Sequence, residues 1–120
     1  MSTPVPGTNA CLIVGSVARG PELRALPGGS SALQLDIRVE RPGGPPESAP
    51  VTWLDPPPVA LRWVEGEAVL VTGRVRRRFF PSGGATQSRT EVVAESIVPL
   101  CQRARAARAV DALRARLGAA

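Results

Sequence analysis

The sequence predicts an all-β fold, a small barrel of five short strands followed by one helix. Thirteen prolines and twelve glycines fall between short runs of Val, Leu and Ile, which is typical of strands connected by turns. Two segments, residues 33–40 and the stretch from residue 68 onward, alternate between apolar and polar side chains, as strands with one buried face do. With 120 residues, 43% of them hydrophobic, the chain can form one core but not two ordinary domains.

The first three strands are predicted in the N-terminal half of the chain. The run NACLIVGSVA at residues 9–18 is β-prone, and Gly15 inside it marks a bulge or a sharp bend at a barrel corner. After the turn signal PGGSS, residues 33–40 form a strand with one buried and one exposed face. The segment PGGPPESAP at 42–50 predicts a mobile surface loop, and VTWLD at 51–55 predicts a short third strand.

The second half of the barrel follows a triple proline. Residues 56–58 end the third strand because proline lacks an N–H donor, and residues 59–66 have room for about two helical turns. A fourth strand begins at Ala68, a long hairpin loop is predicted at 81–88, and a fifth strand follows at 89–100. Five strands in this order, with a short helix between the third and fourth, define an OB-fold, a Greek-key barrel that often binds oligonucleotides.

The C-terminal segment, residues 101–120, predicts a basic amphipathic helix because it is rich in alanine and arginine. Its apolar residues recur at helical spacing: Ala106, Val110, Leu113 and Leu117. This seam fits an oligomerisation helix, a cap on the chain's own barrel, or a basic arm on nucleic acid, in which Arg105 and Arg108 contact phosphate. We assign residues 9–100 to the barrel and residues 1–8 to a flexible N-terminus.

Several function classes are disfavoured by composition. Without histidine or lysine, the usual general bases, the Schiff-base amine and the phosphate-loop lysine are missing, so we expect no enzyme. Cys11 and Cys101 form no CxxC motif, so we expect no metal and no cofactor. No apolar stretch approaches the roughly 20 residues of a membrane span, and no signal segment precedes the barrel. We therefore expect a cytoplasmic protein with no membrane and no small-molecule substrate.

Three segments resemble bacterial single-stranded DNA-binding proteins of replication, recombination and repair. These are NACLIVGSVARGPELR, GEAVLVTGRVRRRFF and RTEVVAE, and the resemblance covers residues 9 to about 100. It implies an OB-fold that wraps single-stranded DNA without a sequence code and assembles as a homo-oligomer, a tetramer or a dimer. The sequence departs from the family at residues 51–66, which are shorter than usual, and in lacking the acidic C-terminal tip that recruits partner proteins.

The candidate DNA-binding residues lie on the outward faces of the strands. Alternation in the fourth strand places four side chains on one face: Arg74, Arg76, Arg78 and Phe80. Guanidinium groups pair with phosphates, and rings provide platforms on which bases stack. The resemblance implies a stacking role for Phe80 and for Trp53, near which the family carries a tryptophan. Arg24, Arg38 and Arg89 complete the set of expected contacts.

Several of these residues have a structural alternative. Arg38 is flanked by Asp36 and Glu40, so an ion pair accounts for it equally well. Trp53 fits the wall of the barrel as well as a stacking site. Phe79, on the face opposite Phe80, is expected in the core or at an interface. Trp63, in the predicted helix, is expected in the core. For the whole chain, the alternative to single-stranded DNA binding is an accessory OB module for protein interaction that has lost most DNA binding.

Overall fold

The computed structural model describes residues 3–118. The first two residues of the predicted N-terminal segment and the last two of the predicted C-terminal helix therefore lie outside the described residues. It contains six strands, one short 3₁₀ helix and one α-helix. The elements are β1 (Cys11–Val17), β2 (Glu22–Ala25), β3 (Ser31–Arg41), β4 (Gly44–Leu54), the 3₁₀ helix (Pro58–Arg62), β5 (Ala68–Ser82), β6 (Ala85–Pro99) and α1 (Arg103–Gly118). Within the described part of the chain, no helix is both long and apolar enough to span a membrane.

Five strands close into a barrel. The order is β1, β5, β6, β4, β3, and β1 also pairs with β3 to complete the ring, while β2 extends β3 as an outlying hairpin. β4 and β6 are parallel and the other neighbours are antiparallel. The predicted all-β, OB-like class with a C-terminal helix is confirmed. Inside the ring, the largest fully buried side chains are Leu33, Ile37, Val17, Val51, Val69 and Val71.

The prediction of a helix of about two turns between the third and fourth barrel strands is wrong in the type and length of the helix. Only the 3₁₀ helix Pro58–Arg62 forms there, and the backbone is extended again at Trp63 (φ −66°, ψ 143°). Prolines 56–58 precede it, and the residue before a proline is driven away from the helical region. Too few residues remain before Gly66, whose φ of +94° lies in the left-handed region, for a second turn to form.

The proline-rich segment 42–50, expected as a mobile loop, is mostly strand. Gly43, with φ of +71°, lies at the turn, and β4 starts at Gly44 and pairs with β3. β4 meets β6 only at Val51–Trp53, so its first half has one unpaired edge. Prolines are tolerated there because a strand edge without a partner does not need their missing N–H.

The hairpin between β5 and β6 is tighter than the loop predicted at 81–88. Both strands continue to a two-residue turn, Gly83–Gly84, with φ of +59° and +81°. Two successive positive φ angles suit the type I′ turn, whose twist matches that of the flanking strands. The long ladder therefore projects beyond the barrel and fixes which residues of β5 and β6 face each other.

Two glycines allow neighbouring backbones to approach closely. A Cβ on Gly73 would lie 2.1 Å from the carbonyl oxygen of Val93, and one on Gly15 would lie 2.3 Å from that of Arg38. Gly73 follows a β-bulge in the β5–β6 ladder, where β6 carries one extra residue, Glu95. Glycine is required at both positions for the strands to pack at this distance.

One side chain extends the pairing between the N-terminal segment and β5. The amide of Asn9 donates to the carbonyl oxygen of Val75 (2.6 Å) and accepts from its N–H (2.9 Å). This pair of hydrogen bonds reproduces the exchange that two backbone residues make in an antiparallel ladder. Asn9 therefore fixes the chain before β1 begins.

α1 packs on the outside of its own barrel, over β5 and β6. Ala106 is buried against Leu70 and Val98, and Leu113 is 7% exposed, whereas Leu117 at the end of the seam is 51% exposed. Arg116 Nη1 contacts both carboxylate oxygens of Glu95 at 2.7 Å. Of the three arrangements considered for this helix, the structure therefore has the cap on the barrel.

Candidate nucleic-acid interface

The outward face of β5 carries a file of cationic side chains beyond the part of the strand that α1 covers. Val69 and Val71 point into the core, so Arg74, Arg76 and Arg78 point outward by the two-residue period of the strand. Their direct partners on β6 are Val93, Glu91 and Arg89. The structure thus places three predicted arginines of β5 and Arg89 on one face of the same ladder.

A buried carboxylate lies in the middle of this face. Glu91 is 2% exposed, and its Oε1 lies 2.8 Å from Arg76 Nη2 and 3.3 Å from Arg78 Nε. Its Oε2 accepts a hydrogen bond from the Thr52 hydroxyl at 2.7 Å. Glu91 thus fixes two guanidinium groups at the surface, and part of their charge is neutralised from below.

The environment of Glu91 keeps it ionised. Burial alone would raise the pKa of its carboxyl group, but hydrogen bonds from Arg76 and Thr52, together with the charge of Arg78, lower the pKa below its ordinary value. The net shift is downward. The carboxylate is therefore charged at neutral pH, and the cluster formed by Glu91, Arg76 and Arg78 carries one net positive charge.

A cleft of about 460 Å³ opens beside this cluster. Its lining combines apolar, amide and cationic side chains from the β2–β3 hairpin, β4 and the β5–β6 ladder. The residues are Arg24, Ala25, Leu26, Ala32, Gln34, Thr52, Leu54, Arg76, Arg78 and Glu91. Concave sites of this size with an apolar wall and a few polar groups are typical of ligand sites.

A smaller cleft, about 190 Å³, adjoins the first because Arg24 and Gln34 line both. Arg89 also lines the smaller one, and it lies directly opposite Arg78 on the ladder. The acidic side chains in this cleft are Glu22 and Asp36, and Asp36 is paired with Arg19 at 3.2 Å. Arg24 and Arg89, which were predicted apart from the arginines of the fourth strand, therefore belong to one continuous cationic surface with them.

Both phenylalanines lie near the tip of the hairpin, each beside an arginine. The Arg78 guanidinium lies 5.5 Å from the ring centre of Phe80, which is half-buried. Phe79, on the opposite face, is 62% exposed, with the Arg77 guanidinium 5.1 Å from its ring centre. The core alternative expected for Phe79 is wrong, because the hairpin extends past the barrel and its inner face there is exposed; the interface alternative stays a prediction.

Arg38 and Trp53 lie apart from this surface. Arg38 Nε contacts Glu40 at 2.9 Å, as the ion-pair alternative predicts. Trp53 packs against the core and its ring stacks on Trp63, with ring centres 5.9 Å apart and planes 19° apart. Trp63 is 7% exposed, so both tryptophans belong to the wall and interior of the barrel.

Sequence reasoning missed Glu91, Thr52 and Gln34. A tight Gly83–Gly84 turn would have set the register that places Glu91 opposite Arg76, but the segment was expected to be a long loop. Thr52 is recognisable only once β4 is placed beside β6. The missing information was therefore the register between strands.

The fold and this surface define a class of protein, an OB-like barrel with a cationic cleft on its outer face. Comparison with protein-family models and with curated protein sequences finds no match. Among residues 3–118, no group of three or more His, Cys, Asp or Glu side chains is placed to hold a metal ion.

Proposed function

We propose that this protein binds single-stranded DNA without sequence preference, in replication, recombination or repair. The observation that carries the proposal is the convergence of four arginines on two adjoining clefts of the barrel's outer face: Arg24, which lines both, Arg76 and Arg78 in the larger, and Arg89 in the smaller. Guanidinium groups suit phosphates because they present several donors in a planar fork. Sequence-independent binding of single strands needs this combination of charge and stacking surfaces.

The hairpin rings support the same function. Phe80 adjoins Arg78, which lines the larger cleft, and Phe79 is largely exposed beside Arg77. Stacking of a base on an aromatic ring contributes about 1–3 kcal/mol by alanine substitution. The two tryptophans stack on each other in the wall and interior of the barrel, and Phe79 faces away from the cleft. Phe80 and the arginine planes are therefore the stacking groups near the cleft, so binding depends strongly on charge.

Fluorescence anisotropy with a labelled oligo-dT tests the proposal. The protein should bind at low salt and lose affinity between about 50 and about 200 mM salt, because each phosphate contact adds about 0.7 to the slope of log K against log salt. Replacing Arg24 and Arg89 together with alanine should reduce that slope by about 1.4. No binding at micromolar protein and low salt would contradict the proposed function.

A matched control has the same loss of charge at another place. Arg62 and Arg114 are exposed and line neither cleft, so the double alanine variant should bind like the unmodified protein, apart from a small long-range effect. If both double variants lose the same affinity, the clefts are not the site even though DNA binding stands.

A protein-interaction module is the second candidate function. One observation favours it: Arg76 and Arg78 are already paired with Glu91, which reduces the charge available to phosphates. A chain that had lost DNA binding would keep the barrel and show no affinity for oligo-dT or for mixed-sequence single strands in the same titration.

A further inference from the structure

A third cleft, also cationic, lies between α1 and the barrel. Its volume is about 390 Å³. Thr72, Ser96 and Glu95 of the ladder line it from below, and Arg105, Arg108 and Arg116 of α1 line it from above. The cap formed by α1 is therefore incomplete on this side, and the opening is bordered by arginines.

The groups in this cleft are suited to an oxyanion. Arg116 is held by Glu95 at 2.7 Å, and Arg105 donates to the side chain of Gln102. Arg108 forms no ion pair within residues 3–118. Three guanidinium groups therefore face one carboxylate, which leaves a net positive charge over the opening.

The hydroxyl groups of the cleft add donors to this charge. The Thr72 and Ser96 oxygens lie 2.6 Å apart, and either can donate to the other. Whichever accepts keeps its own hydrogen for another acceptor. A phosphate group accepts from hydroxyl and guanidinium donors together, whereas the apolar residues here, Val98, Ala109, Ala112 and Leu113, provide walls.

The cleft adjoins the cationic file of β5. Thr72 lies two residues before Arg74 on the same outward face, a separation of about 7 Å along a strand. The α1 cleft, Arg74 and the pair Arg76 and Arg78 therefore follow one another along one strand, with spacing that a single extended polyanion can track.

We propose that the α1 cleft binds the sugar–phosphate backbone of the same single strand that contacts the barrel face, with Arg105 and Arg108 as phosphate ligands. α1 thereby lengthens the binding site. The proposal rests on the proposed function, since it takes the strand on the barrel face as its starting point. The continuity with β5 favours a nucleic-acid backbone over an acidic peptide.

The test is an anisotropy titration with oligo-dT of increasing length, using Arg105→Ala/Arg108→Ala and a control of equal charge, Arg103→Ala/Arg114→Ala. All four arginines are exposed, and alanine is a strong helix former, so both variants should fold, which far-UV circular dichroism verifies. The cleft variant should lower the salt slope for long oligonucleotides by about 1.4. It should bind short oligonucleotides, which occupy only the barrel face, like the unmodified protein.

Each other outcome overturns the proposal in a distinguishable way. If the unmodified protein binds and the two variants behave alike, α1 does not contact the strand, while DNA binding stands. If the unmodified protein fails to bind any oligonucleotide, the proposed function falls and this inference with it. If a labelled poly-Glu peptide binds through Arg105 and Arg108 and the oligonucleotide does not, the cleft serves a protein partner.

Discussion

Arg76 and Glu91 face each other across the β5–β6 ladder, with Nη2 and Oε1 2.8 Å apart and the carboxylate 2% exposed. Arg78 contacts the same oxygen. A buried carboxylate of this kind has two effects: it fixes two cations in the cleft, and it removes part of their charge. The two effects separate experimentally in a variant that keeps the shape of Glu91 and removes its charge.

Glu91→Gln should lower the free energy of unfolding by about 2 kcal/mol, because hydrogen bonds to charged groups are replaced by weaker neutral ones. Urea denaturation at neutral pH measures this change. The same substitution at the exposed Glu47 (Glu47→Gln), whose pair with Arg41 lies at the surface, is the control and should change stability by less than about 1 kcal/mol. An equal loss in both variants would contradict the structural role of Glu91.

The same Glu91→Gln variant should bind oligo-dT more tightly than the unmodified protein. Arg76 and Arg78 lose their competing anion, so the cleft gains one unit of positive charge and the salt slope steepens by about 0.7 if one more phosphate is contacted. Anisotropy at two salt concentrations measures this. Weaker binding would mean that positioning of the arginines matters more than their free charge.

Acidification should remove the contribution of Glu91 to stability. Its folded-state pKa lies below the ordinary value of 4.5, so the unfolded chain binds the proton more readily. The contribution is complete well above pH 4.5 and is lost as pH falls from there through the folded-state pKa. Urea denaturation between neutral and acidic pH should show a smaller acid-dependent loss in Glu91→Gln, and equal pH profiles would refute the assignment.

Gly73→Ala should destabilise the barrel by at least about 2 kcal/mol, because its Cβ would lie 2.1 Å from the Val93 carbonyl oxygen and the backbone must move. Gly20→Ala is the matched control, since a Cβ there meets nothing within 4 Å. Thermal unfolding of the two variants compares them. A mild effect at Gly73 would show that the bulge beside it can relax.

Asn9→Ala should cost about 1 kcal/mol, since two hydrogen bonds to Val75 are lost at an exposed position. Asn9→Asp keeps the acceptor for the Val75 N–H and loses the donor to its carbonyl oxygen, so an intermediate stability is expected. Urea denaturation of both variants tests this order of stability. If Asn9→Asp were less stable than Asn9→Ala, the negative charge of the aspartate, and not the loss of a hydrogen bond, would determine the stability.

Phe80→Ala should weaken oligo-dT binding by about 1–3 kcal/mol if a base stacks there. Phe79→Ala should change the free energy of unfolding by less than about 0.5 kcal/mol relative to the unmodified protein, because a ring that is 62% exposed contributes little to the core. Anisotropy and urea denaturation on both variants separate binding from folding. Full affinity in both variants would leave charge alone as the basis of binding.

The fold class was predictable because it depends on local patterns. Alternation at residues 33–40 and from Ala68 identified two barrel strands. Gly15 was expected at a bulge or a sharp bend, whereas in the structure the β1–β5 register is regular there and Gly15 allows close approach to Arg38. The candidate site was predictable only in part. The two-residue period of a strand determines which side chains share a face, so Arg76 and Arg78 were predicted to lie together. The identity of their partner Glu91 depends on the register between β5 and β6, which the sequence pattern did not give.

The remaining errors have a similar origin. The prolines of β4 led to the prediction of a loop, because the low strand propensity of proline does not apply at a strand edge without a partner. The sequence does not show that the first half of β4 has such an edge. Trp53 was considered for stacking on DNA because the resemblance implies a stacking tryptophan near it, and the short segment 51–66 left its register open. In the structure it lies opposite the core residue Leu33. Phe79 was expected in the core or at an interface, and the core alternative is wrong because the hairpin extends beyond the barrel, which the sequence pattern did not indicate.

The attachment of α1 also bears on how the molecule opens. The helix is held mainly by Ala106, Leu113 and the pair between Arg116 and Glu95, a small area compared with the strand ladders of the barrel. Segments with few buried contacts detach locally at a lower free energy than the core unfolds. Amide protons of α1 should therefore exchange with solvent when the whole helix detaches. Those of Val69 and Val71 should exchange only when the barrel itself unfolds.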